Sequence, residues 1–176
     1  MYAASSAIES KLYLIGGWDP EKLGSGGDFK SDIWMFDTHT NEWEEICDMN
    51  TSISRHSACT IGNKIIINTF RNVFVIENNQ LQDKRTTGDS PVGLSMSACV
   101  PMGSHVLIIG GTDKNQSMHN EIFALNTKNW KWTKFSSDMK PRAGLCAAPI
   151  NNSSCLVFGG AGLDSNYDRW KKTRCI

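Results

Sequence analysis

The sequence predicts an all-β chain assembled from repeats of one small antiparallel sheet. Three observations predict it. Apolar runs at 12–17, 106–111 and 156–160 each end in paired glycines, Gly16-Gly17, Gly110-Gly111 and Gly159-Gly160. Downstream of the first two, an aromatic-rich run leads into a polar turn and then tryptophan, Trp43 in one case and Trp130 in the other. No stretch of useful length carries an apolar stripe at helical spacing.

The strands follow in order. Small residues open each unit: Ser5-Ser6-Ala7-Ile8, Arg55-His56-Ser57-Ala58-Cys59, Met96-Ser97-Ala98-Cys99 and Arg142-Ala143-Gly144-Leu145-Cys146. Such residues suit an innermost strand, where neighbouring sheets converge. The apolar run comes second; a fourth example, Ile65-Ile66-Ile67, has Asn68 and Thr69 where the glycines are expected. Taking Gly16, Asn68, Gly110 and Gly159 as markers, the spacings are 52, 42 and 49 residues. Third strands are read at Ile33-Trp34-Met35-Phe36, Val73-Phe74-Val75-Ile76 and Ile122-Phe123-Ala124-Leu125, rich in the β-branched and aromatic residues that pack on a pleated surface. Asp37-Thr38 and Asn126-Thr127 begin turns that lead into the outermost strand. Four-stranded sheets repeated along a chain point to a β-propeller.

Small-residue strand, double-glycine strand, Asp-flanked strand and closing tryptophan, repeated near every ~50 residues, resemble the kelch repeat. The resemblance runs from about residue 3 to at least residue 163. It implies about four blades, at 3–46, 53–83 (degenerate), 94–135 and 143–176 (truncated). The second lacks both glycines and tryptophan, with Leu81 or Gln82 near the tryptophan slot. The third has Pro91-Val92 rather than Arg before its inner strand. The fourth loses the pattern after Gly160; Asp168-Arg169-Trp170 reads as a remnant of its third strand, and Lys171-Lys172 does not continue it. Kelch propellers resemble rings of six or seven blades. The expectation is therefore a partial propeller, with an unusually small four-blade ring as the alternative. Its open blade edges offer a route to self-association.

Composition narrows the function. Lys and Arg total 18, as do Asp and Glu, so no net field draws the chain to nucleic acid or an anionic membrane. No run approaches the ~20 apolar residues of a membrane helix. The start of the sequence lacks the basic, then apolar, pattern of a secretory signal, so a cytoplasmic or nuclear location is expected, with its six cysteines reduced. Double glycines at strand ends mark close backbone approach; they are not phosphate loops, because neither phosphate-loop spacing follows. Gly24, Ser25, Gly26 and Gly27 read as a flexible surface loop.

The resemblance implies a non-catalytic module that binds a protein or peptide as an adaptor, scaffold or substrate-recognition domain. No BTB, F-box or coiled-coil segment accompanies the blades. Candidate binding residues are Arg55 and Arg142, each four residues before a cysteine, with Trp18, His56 and Ser57. Arginines before the inner strand would hold acidic side chains of a partner, a salt bridge to a nearby loop carboxylate being the alternative. Trp18 is read either as an exposed anchor or as packing at the blade edge. Trp34, Trp43, Trp130 and Trp132 are expected in the core, and Cys59, Cys99 and Cys146 as small buried thiols at equivalent places.

The competing class is a kelch-like enzyme (oxidase, lyase or isomerase) with its site at the channel mouth. A copper oxidase of the galactose oxidase type needs Tyr and His ligands brought together. Tyr13 falls on an apolar strand, and His39 and His119 in or near outer turns. His56 and Ser57 are neighbours whose side chains point to opposite faces of a strand. No metal-binding spacing occurs, and no cofactor or catalytic residue is expected.

Overall fold

The computed structural model describes residues 1–21 and 27–162, and the backbone of 171–172. Gly24, Ser25, Gly26, Asp168, Arg169 and Trp170, singled out above, lie outside the described residues. Four antiparallel sheets follow one another along the chain. Sheet 1 is formed by β1 (Ala4–Ile8), β2 (Lys11–Asp19), β3 (Asp28–Asp37) and β4 (Glu42–Asp48). Sheet 2 is formed by β5 (Ser57–Ile61), β6 (Lys64–Asn68), β7 (Val73–Glu77) and β8 (Gln80–Lys84). A short strand, β9 (Thr87–Gly88), crosses to the outer edge of the next sheet. Sheet 3 is formed by β10 (Ala98–Met102), β11 (His105–Thr112), β12 (Met118–Asn126) and β13 (Lys131–Phe135). Sheet 4 is formed by β14 (Ala143–Asn151), β15 (Ser154–Gly162) and β16 (Lys171–Lys172).

The sheets fan out around their first strands. β1 lies against β5, β5 against β10, and β10 against β14. Between successive sheets run three apolar layers. Ile15, Ile33 and Met35 meet Ile65, Ile67 and Ile76; Ile66 and Val75 meet Val106, Ile108 and Leu125; Val100 and Ile109 meet Leu145 and Val157. Every middle sheet therefore uses both faces, which is why β6 is the unbroken apolar run Ile65-Ile66-Ile67. Each fully buried Ile contributes about 1.5–3 kcal/mol, so the layers hold the fan together. Polar ties add to them. The Tyr13 hydroxyl donates to Asn79 Oδ1 at 2.8 Å, and Thr60 Oγ1 donates to the Ala7 carbonyl at 2.7 Å.

The double glycines have one physical cause. At Gly16 (φ 50°) a Cβ would lie 2.8 Å from the Ile53 carbonyl oxygen of the following loop, and at Gly110 (φ 62°) 2.7 Å from that of Arg142. The second glycine of each pair donates its amide to the same carbonyl, Gly17 to Ile53 at 2.8 Å and Gly111 to Arg142 at 2.9 Å. The pair is where the loop entering the next sheet crosses over.

Hairpin registers correct several expectations. Ile61 pairs Lys64 as Ile8 pairs Lys11, so the positions of Gly16 and Gly17 fall on Thr69 and Phe70, one residue later than Asn68 and Thr69. Trp43 pairs Phe36, and its counterpart pairing Leu125 is Trp132. Trp130 is not on the outer strand: it occupies the left-handed turn position (φ 57°) held by Asn41 (φ 59°) in sheet 1, partly buried beneath Lys84. Trp43 is 51% exposed, not in a core. The three cysteines are not equivalent either. Cys59 pairs Ile66 as Val100 pairs Leu107, so Val100, and not Cys99, is its counterpart; the counterpart in sheet 4 is Ala148, and Cys146 is exposed. Cys99 and Cys59 instead touch each other across sheets 2 and 3, sulfur to sulfur at 3.0 Å, and burial followed by that contact pushes the Cys99 thiol well up. Lys171 and Lys172 do continue the pattern, pairing Gly162 and Ala161 as a third strand.

Candidate functional site

Four residues at or just before the starts of the first strands share a left-handed backbone: Tyr2 (φ 57°), Arg55 (φ 56°), Met96 (φ 57°) and Gly144 (φ 65°). Non-glycine residues enter this region at a cost, and something must hold them there. Here a chain of backbone hydrogen bonds does so. The Arg55 amide donates to the Tyr2 carbonyl at 3.1 Å, Met96 to Arg55 at 2.8 Å, and Gly144 to Met96 at 2.8 Å. The four loops are thus stitched sheet to sheet on one end of the fan, the end where the double-glycine loops also lie. Arg55 is exposed there, its guanidinium 5.0 Å from the Tyr2 ring centroid. Tyr2 in turn lies against Trp18, ring centroids 6.2 Å apart. This stack presents a cation on two aromatic rings.

Sheet 2 is cut short at this end. In sheets 1 and 3 the second and third strands run past the glycines as two-stranded arms, to Asp19 and Asp28 and to Thr112 and Met118. In sheet 2 the chain turns back at once. The Thr69 hydroxyl accepts from the Asn72 amide at 2.9 Å and donates to the Asn72 carbonyl at 2.8 Å, closing a tight turn. Above this low turn two grooves open. One, about 620 Å³, runs between Phe29 on the arm of sheet 1 and Phe70, with Phe74 and Ile53 in its floor and Arg55 and Arg71 on its rim. The other, about 410 Å³, runs from Phe70 to the arm of sheet 3, with Phe123, His119 and Lys134 along it. Phe70 is 40% exposed and lines both. Arg55 and Arg71 are exposed and make no ion pair among the described residues.

Along the second groove the charges are paired. His119 lies 3.1 Å from Glu121 and 3.6 Å from Asp113, and Lys134 lies 3.1 Å from Glu121. Partial burial of Glu121 opposes its charge, yet the hydrogen bonds from Lys134, its own backbone amide and His119 hold it down to about 2. His119 is therefore at the end of the fan that carries the grooves rather than in an outer turn.

The expected site residues separate. Trp18 and Arg55 come together through Tyr2. Trp18 is half-buried, with Gly27 so close beneath its indole that a side chain there would overlap it. Arg142 departs from the expectation. Its counterpart is Ile53, not Arg55, because both carry the carbonyl that receives a double-glycine amide. Its guanidinium is turned inward to the Gly159 carbonyl at 3.0 Å and the Lys140 carbonyl at 3.3 Å. It ties sheet 4 together and does not join Arg55. Ser57 is buried, and among the described residues its hydroxyl has no hydrogen-bond partner and does not bond a ring nitrogen of His56, so the two do not form a pair. Burial pushes His56 down to about 4, offset in part by the Ile15 backbone. Tyr2, Phe29, Phe70 and Arg71 were not among the sequence candidates. The signal for them was the missing double glycine of the second unit.

A pH dependence follows from His56. The folded protein keeps this ring neutral down to about pH 4, whereas an unfolded chain protonates it near the ordinary 6.5. Stability from this group is complete above about pH 6.5 and falls as pH drops toward 4, by up to about 3 kcal/mol. Urea midpoints measured across that interval should show the fall, and His56→Gln should flatten it. An unchanged slope in the variant contradicts the assignment.

Four sheets fanning around their first strands, with loops gathered at one end, define the class: these are blades of a β-propeller. The kelch motif family matches residues 1–50. Mouse Kelch-like protein 23 is 21% identical over 96% of this chain and 32% of its own length. Human Kelch domain-containing protein 10 is 22% identical over 89% of this chain and 39% of its own. The solved structure of YjhT superposes with a TM-score of 0.76 at 19% identity, covering 93% of this chain and 60% of that one. The chain thus carries a kelch motif in its first blade and is similar to kelch-repeat proteins over most of its length, and it spans about a third of the length of these curated relatives.

Proposed function

We propose that this chain binds a partner protein by taking an extended peptide segment across its shortened second blade. The observation that carries the reading is the pair of grooves meeting at Phe70, rimmed on one side by Arg55 and Arg71. An apolar floor with two exposed guanidinium groups suits a segment carrying an aromatic or branched side chain a few residues from a carboxylate. The apolar group would enter between Phe29 and Phe70, and the carboxylate would meet the arginines as a charge-assisted pair. The left-handed backbone at Arg55 is fixed by neighbouring loops, so its side chain is held in position before the partner arrives. Kelch-repeat relatives support a protein-binding role in general terms.

Selection from a peptide display library against the purified chain tests the proposal. Selected peptides should share an acidic residue near an apolar one. Arg55→Glu together with Arg71→Glu should weaken them by about 10- to 100-fold, in line with two lost charge-assisted bonds. Lys128→Glu, in an exposed outer turn, should leave them unchanged. Peptides that bind the double variant as well as the native chain, or a failure to select any, would remove the reading.

A further inference from the structure

Two thiols meet at the joint between sheets 2 and 3. Cys59, on β5, faces forward into the layer it shares with Ile66 and Val75, and Cys99, on β10, faces back into the same layer. Their sulfurs are 3.0 Å apart. The backbone fixes this meeting. β5 lies against β10, and just upstream the Met96 amide donates to the Arg55 carbonyl at 2.8 Å. The two strands leave that tie side by side, so the side chains that follow are brought together before any bond forms. Packing alone does not call for sulfur here. Hairpin registers match Cys59 and Cys99 with Ser6 and Ala58 at the joint of sheets 1 and 2, and with Val100 and Ala147 at the joint of sheets 3 and 4.

The other cysteines stand apart from the pair. Cys47 packs in the layer between sheets 1 and 2, and Cys155 in the layer between sheets 3 and 4, so a sheet separates each from Cys59 and Cys99. Cys146 is exposed, and Cys175 lies outside the described residues. A disulfide holds its sulfurs about 2.05 Å apart, so Cys59 and Cys99 need to approach by only about 1 Å, a shift of the size that side-chain torsions supply.

We infer that Cys59 and Cys99 form a disulfide when the folded chain meets hydrogen peroxide, a cross-link that fastens sheet 2 to sheet 3. One sulfur attacks the peroxide as the thiolate and takes one oxygen as a sulfenic acid; the oxygen–oxygen bond breaks and the first water leaves. The second sulfur attacks the sulfenic sulfur, the sulfur–sulfur bond forms, and the hydroxyl departs with the remaining thiol proton as the second water. The two thiols lose two electrons and the peroxide gains them. Peroxide is small and neutral, which suits a buried pair that a bulky disulfide reagent does not reach. Burial pushes the Cys99 thiol well up, so the pair reacts more slowly than an exposed cysteine does. The bond joins residues 40 apart in the chain and so restricts the unfolded state. It acts on the joint between sheets and does not depend on the peptide reading, which uses the loops.

Peptide mapping of the full chain carrying Cys146→Ser and Cys175→Ser tests this. The folded protein is treated with millimolar hydrogen peroxide, alkylated, and digested with trypsin without reduction. Residues 56–64 should appear joined to residues 86–114, and dithiothreitol should separate them. The thermal midpoint should rise by about 5–10 °C on oxidation and return on reduction. Cys59→Ala and, separately, Cys99→Ala should each abolish both the joined peptides and the rise while leaving the circular dichroism unchanged. Sulfinic or sulfonic acid at either cysteine without joined peptides, a bond from either to Cys47 or Cys155, thiols that stay unmodified while the urea-unfolded chain is oxidised, or an unchanged or lowered midpoint in the cross-linked form overturns the inference.

Discussion

Trp132→Ala should lower the unfolding free energy by about 3–5 kcal/mol, the range for truncating a fully buried aromatic residue. Trp132 is among the largest fully buried side chains and packs between sheets 2 and 3 with Leu125, Val106 and Cys59. Its removal leaves a cavity that rigid sheets on either side cannot close. Against a total stability of about 5–15 kcal/mol for a folded domain, the loss is large, and the thermal midpoint should fall by roughly 10 °C. The matching change in sheet 1, Trp43→Ala, should cost under about 1 kcal/mol, because the indole is half in solvent and no sheet among the described residues covers it. Urea unfolding of both variants checks the contrast. Equal losses would mean that the two tryptophans share an environment, contrary to the exposure of Trp43 and the burial of Trp132.

Gly110→Ala should cost about 2–4 kcal/mol. Left-handed backbone accounts for about 1–2 kcal/mol with any L side chain. The rest comes from overlap, since the new methyl would sit 2.7 Å from the Arg142 carbonyl oxygen and 3.2 Å from Leu145 Cδ2. Gly159→Ala separates the two contributions. It has a similar φ of 70° but nothing among the described residues within 4 Å of the added carbon, so only the conformational part should remain. If both substitutions cost the same, the crossing loop contributes nothing and the double glycine is a matter of backbone conformation alone.

The class of fold was legible because its causes are local. Paired glycines, short polar turns and strands of alternating faces each leave a mark within a few residues. Register was less legible, and for an identifiable reason. Ile65-Ile66-Ile67 is buried on both faces, so it shows no alternation by which to count, and only the turn at Gly62 and Asn63 sets which residue faces which sheet. The same ambiguity moved the tryptophan marker from Trp132 to Trp130, since both follow the same polar turn and only the strand pairing separates them. Arg55 and Arg142 shared a distance to cysteine, but Cys59 and Cys146 occupy different rungs of their sheets, so the match was accidental. The groove was hidden for a different reason. It arises from what the second unit lacks, and a missing motif reads as decay until the neighbouring arms are seen to rise above it. Arg55 and Trp18, named as candidates from sequence, lie together through Tyr2 at this end of the fan, whereas Phe70 and Arg71, standing beside the lost glycines, were not named.

The account depends on the four sheets being equivalent units joined at matching loops. Native-state hydrogen exchange at the amides of Arg55, Met96 and Gly144 tests this most directly. Arg55 and Met96 lie just outside a strand, where exchange is ordinarily fast, and Gly144 stands at the start of β14; each donates to the loop of the preceding sheet. The account predicts that all three are protected to about the same level as the neighbouring first strands and exchange with them in the same cooperative openings. Exchange of these amides at the rate of free loops, with the strands beside them still protected, would contradict it.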